Sequence, residues 1–157
     1  MTETIQIKEY KPSHKEQVLA LLRLNTPEYF DPSEEAALSH YLDQERELYY
    51  VVMADTEIVG CGGINFANDG TTGKISWDII HPDHQGKSIG TKLLTYRIRL
   101  LESMENVQEI TVRTSQHAYR FYEKSGFRLR EVTKDYWAPG IDRYAMMLAP
   151  RTPSVIK

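Results

Sequence analysis

The densest chemistry in the chain lies between His81 and Thr91, His-Pro-Asp-His-Gln-Gly-Lys-Ser-Ile-Gly-Thr. Small residues stand at Gly86, Ser88 and Gly90, between a strand-like run and an amphipathic one. A strand-to-helix junction of this kind aims unpaired backbone N–H groups and the positive end of the helix dipole at one spot. Small side chains let a pyrophosphate approach that backbone, and Lys87 adds a charge-assisted contact at the rim. The plain alternative is a connecting turn that holds nothing. Gly86-Lys87-Ser88 mimics the end of a P-loop, but that loop needs a glycine five residues before Gly86, where His81 stands followed by Pro82. A nucleoside-triphosphate cradle is therefore excluded.

Other groups carry competing readings. Tyr29 and Phe30 lie beside Glu28 and Asp31, and Tyr136 and Trp137 precede Asp142. Aromatic faces near carboxylates suit an alkylammonium through cation–π attraction of about 0.5–2 kcal/mol, or they form a lid on the core. Asp78 is the carboxylate nearest the loop on the strand that enters it. Alternation with Trp77 and Ile79 leaves open whether it faces a cleft or water. Glu28, Glu34 and His117 are less well placed as bases. His81, Asp83 and His84 share one loop with no distant fourth ligand, so no metal is expected. Cys61, between Gly60 and Gly62, reads as a small core residue.

The elements that must position these groups follow from the pattern of apolar residues. Strands are expected at 5–10, 48–54, 58–66, 74–81, 109–114, 127–137 and 141–148. Helices are expected from a capping box at Ser13 and Glu16, from Asp31-Pro32-Ser33 with Pro at the first helical position, over 88–103 with apolar residues at 89, 93, 94, 98 and 101, and over 116–124. Three antiparallel strands followed by a strand–helix–strand parallel crossover imply an α+β fold: a mixed, mostly antiparallel central sheet with helices on both faces. Residues 1–150 read as one domain and 151–157 as a loose tail.

Composition narrows the classes. A formal charge of −3 without a Lys/Arg run argues against a nucleic-acid binder. No apolar stretch approaches the roughly 20 residues of a membrane span. One cysteine and a polar start without a signal-peptide core point to the cytoplasm.

Gln85-Gly86-Lys87-Ser88-Ile89-Gly90 resembles the acetyl-CoA signature of the GNAT N-acetyltransferases, Gln/Arg-x-x-Gly-x-Gly/Ala, with Ser88 at the first glycine. Serine there is a mild departure in helical or N-cap geometry and a costly one at φ > 0. Ala118-Tyr119-Arg120-Phe121-Tyr122-Glu123-Lys124-Ser125-Gly126-Phe127 resembles the family's second motif, in the same order and at the family's interval. The resemblance runs from about Ile5 to Leu148. It implies acetyl-CoA as acetyl donor, held by Ile79, Ile80, His81, Gln85, Gly86, Lys87, Ser88, Ile89, Gly90, Thr91, Ser115, Gln116 and Lys124. Ser115 stands where the family often has the asparagine that contacts pantetheine, so Ser115 or Gln116 serves instead. Strands 74–81 and 109–114 are expected to splay around pantetheine, with a backbone N–H near Ile79 or Ile80 as oxyanion donor.

Tyr122 matches the family's tyrosine that protonates the departing thiolate, against the alternative of packing with Phe121. Asp78 is carried as the candidate base. The acceptor is expected to be a primary amine, on a small molecule or a protein N-terminus, held by Tyr29, Phe30, Tyr136, Trp137 and Asp142. A homodimer is compatible with these features. The rival class is a non-catalytic acyl-CoA-binding sensor or interaction module.

Overall fold

A computed structural model of the chain describes residues 4–86 and 88–149; the contact expected of Lys87 and the tail expected at 151–157 lie outside the described residues. Strands β1 (Ile5–Glu9), β2 (Leu48–Ala54), β3 (Glu57–Ala67), β4 (Thr72–Ile80), β5 (Glu109–Thr114), β6 (Phe127–Ala138) and β7 (Ile141–Leu148) form a 7-stranded sheet in the order β1-β2-β3-β4-β5-β7-β6. Only β4 and β5 run parallel, in register from Thr72↔Glu109 to Ile75↔Val112. Helix α3 (Ile89–Glu102) supplies the crossover between them, and α4 (Tyr119–Lys124) follows β5. The expected mixed α+β sheet is the observed one.

Helices α1 (Lys15–Leu24) and α2 (Glu34–His40) cover one face. Val18, Leu19, Leu21, Leu22 and Leu38 pack there against Tyr49, Val51, Cys61 and Ile79. On the other face Leu94 and Leu101 of α3 and Tyr122 of α4 meet Ile64, Ile75, Val112 and Met146. Burying such a Leu or Ile side chain contributes about 1.5–3 kcal/mol, so these two clusters fix the helices on the sheet.

The helix starts differ from expectation. The Ser13–Glu16 box does not form: residues Pro12–His14 make a 3-10 turn, the Lys11 N–H donates to His14 Nδ1 at 3.0 Å, and α1 begins at Lys15. At α2, Pro32 precedes the helix instead of opening it. Asp31 Oδ2 accepts from the Ser33 N–H, and Glu34 Oε2 reaches back to the Asp31 N–H, both at 2.9 Å. The last helix begins at Tyr119, later than the expected 116, because Gln116 is drawn to the β6–β7 hairpin.

Candidate active site

A bulge in β4 sets the geometry. Gly63 pairs with Ser76 and Cys61 with Ile79, so Trp77 and Asp78 together oppose Gly62. Trp77 adopts φ +50°, and its carbonyl accepts a bond from Tyr49 Oη at 2.8 Å. An extra residue on one strand reverses the side-chain phase beyond it. Ile75 faces α3, Trp77 packs toward α1 and α2, and Asp78 turns back under α3. Simple alternation would have put Asp78 on the other face.

Past Ile75 and Val112, β4 and β5 no longer pair, and a cleft of about 610 Å³ opens between them. The His81 N–H donates to Val59 O at 2.8 Å, and Ile79 is in register with Cys61. Backbone groups alternate edges along a strand, so Ile80 directs its N–H and carbonyl into the gap. Its carbonyl is held there by Asn25 Nδ2 at 3.1 Å and Gln85 Nε2 at 3.3 Å. Asn25 is buried, and its Oδ1 accepts from Gln85 at 3.1 Å. It ties the end of α1 to the loop, a role the sequence did not suggest.

The loop then enters α3. Gly86 has φ +81°, with open space where a side chain would stand. Ser88 has φ +66°, the left-handed region, and makes no side-chain cap bond. This is the costly geometry for serine. Lys92 N–H, to Ser88 O at 2.9 Å, is the first bond of the helix, so the N–H groups of Ile89, Gly90 and Thr91 lack intrahelical partners by construction. Gly86, Ser88, Gly90 and Thr91 line the cleft. Open space at Gly86 beside this donor set fits a diphosphate. The Ile89 side chain instead packs with Val59 and Leu93, and His81 Nδ1 accepts from the Asp83 N–H at 3.1 Å.

At the floor of the cleft, Tyr122 Oη donates to Asp78 Oδ2 at 2.6 Å, and Arg97 Nη1 lies 2.5 Å from Asp78 Oδ1. Arg97 is fully buried; it also donates to Leu93 O at 3.2 Å and Gly63 O at 3.0 Å. Burial works against its charge, but the Asp78 carboxylate more than reverses that and holds its pKa above the ordinary value. Burial, and then the Asp78 charge, pushes the Tyr122 phenol well above its usual value. Tyr122 is thus a protonated donor across the neutral range, with a carboxylate fixing its hydroxyl. Arg97 escaped the sequence reading.

The remaining candidates divide. Ser115 lines the cleft, buried, its Oγ accepting from the His117 N–H at 3.2 Å. Gln116 does not line it: its amide clamps the β6–β7 hairpin, donating to Gly140 O at 2.7 Å and accepting from Asp142 N–H at 2.9 Å. Lys124 is exposed at the end of α4, outside the lining. Tyr29, Phe30 and Trp137 line the cleft, with Phe30 stacked on Trp77 at 6.2 Å and Trp137 Nε1 donating to Thr114 O at 3.1 Å. Tyr136 and Asp142 do not. The Tyr136 ring lies exposed under Arg143, and Asp142 Oδ1 accepts from the Asp135 N–H at 2.9 Å, fastening the hairpin. Glu34 joins the lining in their place, its pKa raised mainly by burial. Among the described residues no cluster of three His, Cys, Asp or Glu side chains is placed to hold a metal, and no helix is long and apolar enough to cross a membrane.

Residues 16–127 match the model of the Acetyltransferase (GNAT) family. No curated protein matches the chain in sequence. Among solved structures, the ribosomal-protein-S18-alanine N-acetyltransferase of Escherichia coli is 17% identical with a TM-score of 0.75, covering 98% of this chain and 100% of its own. An aminoglycoside 6'-N-acetyltransferase from Enterococcus faecium is 21% identical with a TM-score of 0.73, covering 94% and 99%. An aminoglycoside 6'-N-acetyltransferase solved with coenzyme A is 21% identical with a TM-score of 0.74, covering 94% and 99%.

Proposed function

From the premise that the chain belongs to the GNAT acetyltransferase family, we propose that it moves an acetyl group from acetyl-CoA to a primary amine by direct attack in a ternary complex. The observation that carries this reading is the unpaired gap between β4 and β5, opening beside the start of α3. That arrangement offers strand-edge donors to an extended pantetheine arm and helix-terminal donors to a diphosphate. Bound acetyl-CoA supplies the activated acyl group as a thioester.

The chain's own groups do the rest. The N–H groups of Ile89, Gly90 and Thr91 hold the diphosphate, and the Ile80 N–H donates to the negative charge that grows on the acyl oxygen. Tyr122 gives its proton to the departing thiolate. Phe30, Trp77 and Trp137 form apolar walls for the acceptor, with the Glu34 carboxylate beside them. The chemistry of that end suits an ammonium-bearing group that arrives charged and loses one proton before attack, a second leaving once the C–N bond has formed. The S18-alanine enzyme and the aminoglycoside enzymes, whose names give amine acceptors, support this class of acceptor without choosing among its members.

The purified protein should release free thiol from acetyl-CoA only when an amine is supplied, across a panel of polyamines, amino sugars and short peptides with free N-termini. Tyr122→Phe should keep acetyl-CoA affinity and lower turnover on the order of 10²-fold, the lower end for a lost general acid. Tight acetyl-CoA binding with no turnover on any amine would instead support a binding module.

A further inference from the structure

The buried guanidinium of Arg97 has no part in the scheme above, yet it sits one residue away from it. Three observations converge. Arg97 contacts the oxygen of Asp78 that Tyr122 does not use, so the carboxylate is held at both ends. The bonds from Arg97 to Leu93 O and Gly63 O anchor it to α3 and β3 at once. Gly62 leaves room for the pair: a Cβ there would collide with Asp78 Oδ1 and stand 2.8 Å from Arg97 Nη1. The bulge at Trp77, the missing side chain at 62 and an arginine on the apolar stripe of α3 are all needed to bring Asp78 beneath Tyr122.

Resting on the reading of Tyr122 as the proton donor, we propose that Arg97 is a positioning residue for that step, and that Asp78 acts through Tyr122 and not as the base that deprotonates the amine. The one proton of the Tyr122 hydroxyl rests on Asp78 Oδ2 at 2.6 Å; it turns from that oxygen to the leaving sulfur, and as the O–H bond breaks and the thiol's S–H bond forms, negative charge appears beside the carboxylate. Left alone, two like charges at that distance in a buried site would oppose the transfer. The Arg97 cation offsets them and fixes the carboxylate, so that the phenol oxygen stays in place while its proton turns to sulfur. The phenolate then regains a proton from water, to which the acceptor nitrogen has released one. Replacing a buried pair by apolar or neutral groups of similar size is often tolerated, whereas stranding one charge is not. A purely architectural pair, with one charge stranded, would slow both kinds of acyl donor alike.

The test uses Arg97→Met and the double variant Asp78→Asn/Arg97→Met, the second because the single variant strands the Asp78 charge. Each is assayed with acetyl-CoA and with S-acetyl-4-nitrothiophenol, whose acidic thiol leaves without needing a proton. With acetyl-CoA, Arg97→Met should lose about 10-fold or more in kcat, with KM for acetyl-CoA nearly unchanged, and the double variant, in which no carboxylate opposes the phenolate, should regain most of that loss. With the aryl thioester, both should match the native protein. A folded Arg97→Met with native acetyl-CoA turnover, an equal loss with both donors, or a double variant as slow as the single one overturns the proposal. Tyr122→Phe run alongside separates the layers. Native turnover in that variant removes the proton-donor reading and this proposal with it. A loss in Tyr122→Phe that Arg97→Met does not share removes this proposal alone.

Discussion

Replacing Ser88 by glycine should stabilise the protein, an unusual outcome for a change at a functional loop. Ser88 occupies φ +66° at the entry to α3, its side chain is exposed, and it makes no cap bond. An L-residue in the left-handed region costs roughly 1–2 kcal/mol. Glycine removes that cost but gives back about 0.5–1 kcal/mol through the greater freedom of the unfolded chain. The difference is a net gain of about 0.5–1 kcal/mol, or roughly 1–4 °C in Tm for a chain of this size. Equilibrium urea unfolding should show a higher midpoint with the same m-value. Ser88→Ala keeps the backbone cost and should fall at or below the native protein. Isothermal titration with acetyl-CoA should show affinity retained in Ser88→Gly, since the donors at this turn are backbone N–H groups. If alanine stabilises as much as glycine, or glycine lowers the midpoint, the strain assigned to this residue is not there.

Gly90→Asp should weaken acetyl-CoA binding by at least about 10-fold by titration, because it places an anion among the donors meant for phosphate; its Cβ would also stand 3.2 Å from the Phe121 ring. Helix propensity does not oppose the change, since an acid suits the first turn, so thermal unfolding should remain cooperative, and unaltered affinity in a folded variant would remove the loop from the site. Glu34→Gln should raise KM for the amine several-fold, about the 1 kcal/mol of one charge contact, and leave KM for acetyl-CoA in place; the reverse pattern would put the acceptor elsewhere. Burial pushes the Cys61 thiol from 9.0 up to about 12, so the folded state holds a proton that the unfolded chain gives up. The sign follows from linkage: this contribution is intact below pH 9 and is lost as pH rises toward 12, by at most about 1.4 kcal/mol per unit. Unfolding free energies of the native protein and Cys61→Ala between pH 7 and 10.5 should diverge accordingly, and parallel curves would contradict the burial argument.

Several features were legible in the chain because they are local. The apolar periods located the seven strands and the order of helices between them, though not where each helix starts, since burying one face of each element demands that pattern. The glycines and small residues between Gln85 and Thr91 announced an open turn into a helix, because small side chains and unpaired backbone donors there need nothing from the rest of the fold. Arg97 was missed although the chain carries a signal for it: it stands four residues after Leu93 and four before Leu101, on the apolar stripe of α3, where a charge demands a partner.

Tertiary structure alone decided who that partner was. One residue of bulge at Trp77 inverted the phase of β4, which no alternation rule could foresee, and so put Asp78 under Tyr122 and Arg97 instead of on the opposite face. The same holds for the hairpin. Gln116 and Asp142 had the right chemistry for cofactor and amine, but a 24-residue separation from Gly140 closed into a hydrogen bond that turned the Gln116 amide to the hairpin, and Asp142 turned to its own strand's neighbour. Ser88 shows the division within one residue. Its place in the motif was evident from the chain, while its positive φ, and hence the cost of serine there, depends on the angle at which β4 hands the chain to α3. Residue type and spacing determine which groups are offered; the path of the backbone through a folded sheet determines which of them meet.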